Sequence, residues 1–355
     1  MLVTKLRHHG DVLLASPVLT VLRQALPAAE IDALVYRETA PMLERHPALA
    51  RLFTIDRSRR RGFARLAADG ALLRELRRRS YDLLVHLTEH PRGLLLALTT
   101  RPRYAVTREP AKHRWLWRLG FTHFYPWPKG TQRHTVETNL DALRRIGCVP
   151  SDPDKRLVIV PAAADETRID AELARIGLAR GAFAQVHPGS RWLFKAWESG
   201  RMASVVQHLV QRGLPVAITG APDGRERAIV ADVLAALPPA VRASVHDLTG
   251  AFTLSELAAL TARARLFVGV DSAPMHIAAA TGTPAVALFG PSDEREWAPW
   301  QVPHRIVAGP GYPCRPCRND GCGGSKRSDC LATLPVAAVV AAVYELLAAT
   351  GGLAA

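Results

Sequence analysis

Two apolar runs, Leu266–Val270 and Pro284–Phe289, are separated by a segment too short for anything but a turn and a brief helix. Asp271, Ser272 and Pro274 supply the turn and the helix start, with Pro acceptable in a first helical turn. Met275 to Thr281 then reads as a short helix and Gly282 ends it. A helix beginning at the carboxyl end of a parallel strand aims unpaired backbone N–H groups and its positive dipole end at one spot, which favours phosphate. An ordinary βαβ connection would have the same pattern.

The rest of the chain repeats this alternation. In the first half, strands are expected at Leu2–Leu6, Ile31–Tyr36, Leu52–Ile55, Tyr81–Leu87 and Arg103–Val106, with one apolar helix over Val12–Leu26 after the first. Residues 111 to 134 are irregular and rich in Trp, Arg, His and Pro, and a helix follows over Thr135–Ile146. Leu157–Val160 and a helix after Asp165 lead into a second half, expected to carry strands at Phe183–His187, Pro215–Thr219, Leu266–Val270 and Ala285–Phe289. Strand–helix alternation of this kind argues for doubly wound parallel sheets. The expected architecture is α/β with two Rossmann-like domains, residues 1–157 and 158–334. Residues 335–355 form a closing helix that could pack back on the amino-terminal domain.

The 355 residues carry a formal net charge of +14, which asks for a polyanionic partner: nucleic acid, an anionic membrane surface or a phosphorylated substrate. No apolar run approaches the length of a transmembrane helix, and no signal pattern follows Met1, so a cytoplasmic protein is expected. Four of the five cysteines are Cys314, Cys317, Cys322 and Cys330. Their spacing matches no common zinc or iron–sulfur signature; they form either a structural metal cluster or a set of reduced thiols packing a loop.

Several residues could carry chemistry. Asp11, in the first βα turn, could accept a proton from a hydroxyl or could merely cap the helix after it. Ser190, Arg191 and Lys195 follow the strand ending at His187; a hydroxyl, a glycine and two cations suit a diphosphate, and a solvated loop is the alternative. The turns after Thr219 and Val270 lie on the same sheet edge, and three such turns together favour a nucleotide cleft. Arg57, Arg59, Arg60 and Arg61 form a basic run that is either a solvated face or a phosphate or membrane contact. Asp152-Pro153-Asp154 matches a short D-x-D metal motif but falls in the expected linker.

Taken together, KLRHHGDVLLASPVL at Lys5, HTVETNLDALRRIG at His134, VHPGSRWLFKAW at Val186, ITGAPDGRERAIV at Ile218, the long block from Leu248 to Ser292 and CGGSKRSDCL at Cys322 resemble the lipopolysaccharide-core heptosyltransferases. These are ADP-heptose-using transferases whose two Rossmann domains face across a cleft. The start and the cysteine-bearing tail are most similar to the heptosyltransferase III subgroup, which adds a side-branch heptose to the second core heptose. By that resemblance Asp11 is the catalytic base and Lys195 neutralises the leaving group. Ser190 and Arg191 contact the donor phosphates, Glu226 (or Asp223) the ribose, and Phe252 the adenine. Asp271, Ser272, Ala273 and His276 lie at the diphosphate and heptose. Arg57, Arg59, Arg60, Arg61 and His134 are the acceptor- or phosphate-binding candidates. Relatives often carry Gly-Leu or Gly-Pro where this chain has Ala273-Pro274, which removes a potential N–H donor from that turn.

The resemblance implies an inverting, metal-free displacement with no cofactor. It also implies a phosphorylated lipid A–Kdo–heptose acceptor, no nucleic acid, and a peripheral site at the cytoplasmic face of the inner membrane. Two other readings compete. A sister transferase or epimerase of the same fold would use another nucleotide sugar, and donor choice separates it. A non-catalytic polyanion binder would explain the charge but not acids and cations placed at successive sheet edges.

Overall fold

The computed structural model describes residues 1–58, 63–126 and 133–351. It contains two compact units, Met1–Val160 and Pro161–Ala355, a boundary three residues beyond the one expected from the sequence.

The first unit holds β1 (Leu2–Thr4), β2 (Asp32–Tyr36), β3 (Arg51–Ile55), β4 (Leu83–His86), β5 (Tyr104–Arg108) and β6 (His123–Tyr125). The second holds β7 (Ala184–His187), β8 (Val216–Ile218), β9 (Val245–Asp247), β10 (Leu266–Val270), β11 (Ala285–Phe289) and β12 (His304–Ala308). The sheet orders are β3-β2-β1-β4-β5-β6 and β12-β11-β10-β7-β8-β9, and every pairing is parallel. Numbered within its own unit, each sheet has the Rossmann order 3-2-1-4-5-6. The chain direction across each sheet therefore reverses between its first and fourth strands, β1 and β4 in one unit and β7 and β10 in the other. Ligands of open α/β sheets bind outside the carboxyl ends of those strands.

Both sheets are covered on two faces, so their central strands are near-continuous apolar runs. The side chains of β10 and β11 are wholly buried. Val186, Val216, Val268 and Leu288 form one core with Met202, Val205 and Leu209 of the helix Ser199–Gln211. The closing helix Val336–Ala349 joins that same core through Val339, Val343, Leu346 and Leu347. It packs on β11, β12 and the Ser199–Gln211 helix, which makes it a layer of the carboxy-terminal unit. No helix of the described residues is long and apolar enough to cross a membrane.

One local expectation is corrected. The helix expected over Val12–Leu26 is two helices, His9–Leu13 and Ser16–Ala25. Pro17 lies in the first turn of the second; it lacks an N–H, so it starts a helix readily and cannot continue one. Leu157–Val160 is irregular and closes the first unit, where Val158 N–H donates to Ser16 Oγ (2.9 Å).

Candidate active site

At the switch point of the first sheet, the chain leaves β1 through Lys5, whose ammonium is buried and donates to the Leu87 carbonyl (3.1 Å) and Asn139 Oδ1 (2.9 Å). Asn139 in turn donates to the Leu14 carbonyl (3.0 Å), and Leu6 N–H to Thr88 Oγ1 (3.0 Å). These bonds fix the loop of Arg7 to Gly10 against β4 and the helix Thr135–Arg144. Burial pulls the Lys5 pKa down to about 8, against the opposing attraction of the Asp11 carboxylate. The following helix begins at His9, so Asp11 lies inside its first turn and is not the residue that caps it. The Asp11 side chain is 12% exposed and meets Arg7 Nε at 3.5 Å, an arrangement open to a proton donor from solvent or substrate.

The switch point of the second sheet collects more of the expected residues. The loop after β7 and the turn after β10 meet in an ion pair, Lys195 Nζ to Asp271 Oδ2 at 2.5 Å. Ser190 is buried and its Oγ accepts from Trp192 N–H (3.3 Å). The Arg191 guanidinium lies over the Trp192 ring at 5.5 Å. Ser272 is the N-cap of the helix Ala273–Thr281, with no side-chain cap bond; its Oγ donates to the Val270 carbonyl instead (3.2 Å). Pro274 has no N–H, and Met275 N–H turns back to the Ser272 carbonyl (3.1 Å), which leaves Ala273 N–H directed out of that helix end. His276 is buried, its ring 6.4 Å from that of Trp297.

Glu226 is tied into the adjacent turn. Its Oε2 accepts from Ala221 N–H (2.7 Å) and lies 3.3 Å from His187 Nε2, while His187 Nδ1 meets Thr219 Oγ1 at 3.0 Å. Burial acts to raise the Glu226 pKa, but the bonds from His187 and Ala221 outweigh it and the carboxyl stays below its ordinary value. A Cβ on Gly189 would come within 2.8 Å of this carboxyl, so the loop of Ser190 to Lys195 starts in close contact with Glu226. Asp223, the alternative ribose candidate, caps the helix Gly224–Ala235 by accepting from Arg225 N–H (3.0 Å) and Glu226 N–H (3.2 Å). Phe252 lies in the loop after β9 under the Arg168 guanidinium, 5.9 Å away. Arg168 is held by Glu256, which also closes a capping box with Thr253.

Other candidates are placed differently. Arg57 is engaged within its own unit, donating to Glu38 Oε1 (2.6 Å) and stacking on Tyr36 at 4.1 Å. Arg59, Arg60 and Arg61 lie outside the described residues. His134 is buried and caps the helix Thr135–Arg144 by accepting from Val136 N–H (3.2 Å). Asp154 accepts from Ser151 and Asp152 from Lys155, so both acids of the D-x-D are spent on local turns. Among the described residues no group of three His, Cys, Asp or Glu is placed to hold a metal ion. The four clustered cysteines are free thiols; burial raises the Cys330 pKa, an effect that nearby Arg315 opposes.

Sequence reasoning missed two features. One is His187, read only as the end of a strand, which organises the Glu226 and Thr219 turns. The other is the turn after β11, where buried Asp293 binds Arg295 (2.9 and 3.1 Å) and Arg318 (3.4 Å). Arg315 there donates to the Gly290 carbonyl (2.7 Å) and to Glu294 (3.1 Å), so the cysteine-bearing segment is bound to this edge through its arginines. A serine and an aspartate following Gly-Pro at a strand end were the available signal.

The profile of glycosyltransferase family 9 (heptosyltransferase) matches residues 70–326. The chain is 34% identical over 346 residues to lipopolysaccharide heptosyltransferase 3 of Escherichia coli, covering 96% of this chain and 97% of that one. Its fold is similar to that of a glycosyl transferase of family 9 from Veillonella parvula (TM-score 0.81, 24% identity, 98% and 97% of the two chains). It is also similar to E. coli ADP-heptose LPS heptosyltransferase II (TM-score 0.77, 20% identity, 98% of each chain), so the fold is GT-B. A profile match over most of the chain and a relative similar from end to end lead to one assignment: the chain belongs to glycosyltransferase family 9, the heptosyltransferases, and is an enzyme of glycosyl transfer.

Proposed function

We propose that the protein moves L-glycero-D-manno-heptose from ADP-heptose to the second heptose of the lipopolysaccharide inner core, inverting the anomeric centre in one displacement. The observation that carries this reading is the gathering of Lys195, Asp271, Ser190, Arg191 and the start of the helix Ala273–Thr281 at one switch point. End-to-end similarity to a lipopolysaccharide heptosyltransferase 3 supports the acceptor. Asp11 takes the proton of the acceptor hydroxyl, whose oxygen then bonds to the anomeric carbon as the bond to the ADP β-phosphate oxygen breaks. Negative charge grows on the departing diphosphate, and Lys195, Arg191 and Ala273 N–H are the groups that receive it. Glu226 receives the ribose and Phe252 the adenine. Asp271, once Lys195 turns to phosphate, is left to accept from heptose hydroxyls, with His276 beside it. The chemistry uses no cofactor or metal, and the enzyme works peripherally at the inner face of the inner membrane, where its lipid-borne acceptor lies.

The test is turnover of ADP-heptose on truncated core acceptors, with and without chelator, in wild type and Asp11→Asn. We expect kcat in Asp11→Asn to fall by about 10²–10⁴-fold with ADP affinity kept, wild-type turnover to survive chelation, and the product anomer to be inverted. Undiminished kcat in Asp11→Asn removes the base, and turnover of a UDP-sugar in place of ADP-heptose moves the protein to another donor.

A further inference from the structure

Four of the exposed large apolar side chains fall in one stretch of the first unit: Leu95 (51% exposed), Leu98 (43%), Trp115 (66%) and Leu119 (64%). Leu95 and Leu98 stand three residues apart on the outer side of the helix Arg92–Thr100, whose inner side buries Leu96 and Ala97 in the core. Trp115 and Leu119 stand four apart on the helix Arg114–Trp117 and the turn that continues it, where Leu119 N–H bonds the Leu116 carbonyl (3.1 Å). Trp117 of the same turn points inward and stacks on Phe121 at 5.4 Å, so the outward placing of Trp115 is not for want of a core. The two segments touch at Gly120: a Cβ there would lie 2.9 Å from Ala97 Cβ and 3.0 Å from Leu94 Cδ1. Close approach at that glycine makes the two exposed faces neighbours.

The charge along this stretch is predominantly positive. From Pro91 to Phe121 the chain has six arginines and one lysine, against the single acid Glu109. Glu109 is taken by Arg114, and Arg108 pairs with Glu89. Arg101, Arg103, Lys112 and Arg118 are exposed and form no ion pair among the described residues. An apolar ridge containing Trp and rimmed by cations is the composition of a surface that enters the headgroup layer of an anionic bilayer. Two copies of this chain brought face to face here would oppose like charges.

We propose that this ridge is the surface by which the protein docks on an anionic lipid bilayer, Trp115, Leu119, Leu95 and Leu98 entering the headgroup region and the arginines and Lys112 meeting lipid phosphate. The proposal rests on the reading above that the acceptor is lipid-borne, and it locates the membrane contact on residues other than the Arg57–Arg61 run.

The full-length protein is sedimented with phosphatidylcholine vesicles, with and without phosphatidylglycerol, and turnover is measured in parallel on a water-soluble truncated acceptor. We expect binding only to vesicles containing phosphatidylglycerol, weakening with salt. Trp115→Ser with Leu119→Ser, and separately Arg101→Gln with Arg118→Gln, should each lower partitioning by about tenfold or more, with soluble-acceptor turnover unchanged. Wild-type partitioning in both pairs of variants overturns the proposal, as does equal, salt-insensitive binding to pure phosphatidylcholine. A wild-type dimer that the apolar pair dissolves, seen by sedimentation velocity, reassigns the ridge to a second copy of the chain. Absence of soluble-acceptor turnover in the wild type counts against the proposed function alone, since vesicle binding is read without it.

Discussion

The Lys195–Asp271 pair allows a calculation before any substrate is considered. At 2.5 Å and an effective dielectric constant of about 20, the Coulomb attraction is about 7 kcal/mol. Withdrawing both ions from water offsets most of this, leaving a net coupling of about 1–3 kcal/mol. The two partners differ in their access to water: the Asp271 side chain is 5% exposed and that of Lys195 is 21%. Lys195→Ala therefore strands a buried carboxylate and should cost about 3 kcal/mol, whereas Asp271→Ala leaves an ammonium that can swing to solvent and should cost about 1 kcal/mol. The double variant should cost about 2 kcal/mol, so the cycle closes with a coupling of about 2 kcal/mol. Two units with separate cores need not unfold in one step. The quantity to measure is thus the protection of β7 and β10 amides in native-state hydrogen exchange, which reports the second unit. Strict additivity of the single variants would refute the coupling, and a larger cost for Asp271→Ala than for Lys195→Ala would refute the burial argument.

Two further outcomes follow from the same geometry. Gly189→Ala forces a methyl to within 2.8 Å of the Glu226 carboxyl; a stability loss of about 1–3 kcal/mol and weaker ADP binding by calorimetry are expected, and unchanged ADP affinity would show that the loop and Glu226 act separately. Lys5, with its pKa lowered to about 8 in the folded chain against 10.5 for the free group, holds fewer protons folded than unfolded between those values. The stability of the first unit should therefore rise with pH across that window by up to about 3 kcal/mol relative to Lys5→Met; parallel pH profiles of the two proteins would remove the argument.

The sequence was most legible where burial is complete. The strands β10 and β11 fall on the residues expected, because a strand buried on both faces must be an unbroken apolar run. The three strands missed, β6, β9 and β12, all lie at sheet edges, where one side lacks a neighbour and the residues can be polar: His123, His246, Asp247, His304 and Arg305. Lys195 and Asp271 could each be singled out by type and position, but their bond could not, since it depends on β7 and β10 being neighbours across more than sixty intervening residues. The inward role of His187 was invisible for a related reason: its partners, Thr219 and Glu226, arrive from β8 and the helix after it.

Several cations of the second unit's site edge are already matched to carboxylates, Lys195 to Asp271, Arg168 to Glu256, and Arg295 and Arg318 to Asp293, while Arg191 lies over Trp192. On the proposed reading, a diphosphate that reaches Lys195 has to exchange there with the Asp271 carboxylate. For a small anion that exchange gains little, since one charged contact is lost for each one formed, and the freed Asp271 is left buried. A nucleotide sugar is different on the proposed reading, in which Phe252 and Glu226 hold its base and ribose and sugar hydroxyls satisfy the carboxylate that Lys195 releases. If the proposed roles hold, selectivity for the whole donor over inorganic phosphate arises from the ion pair itself, and Asp271→Asn, which leaves Lys195 uncompensated, should bind inorganic phosphate more tightly than the wild type does.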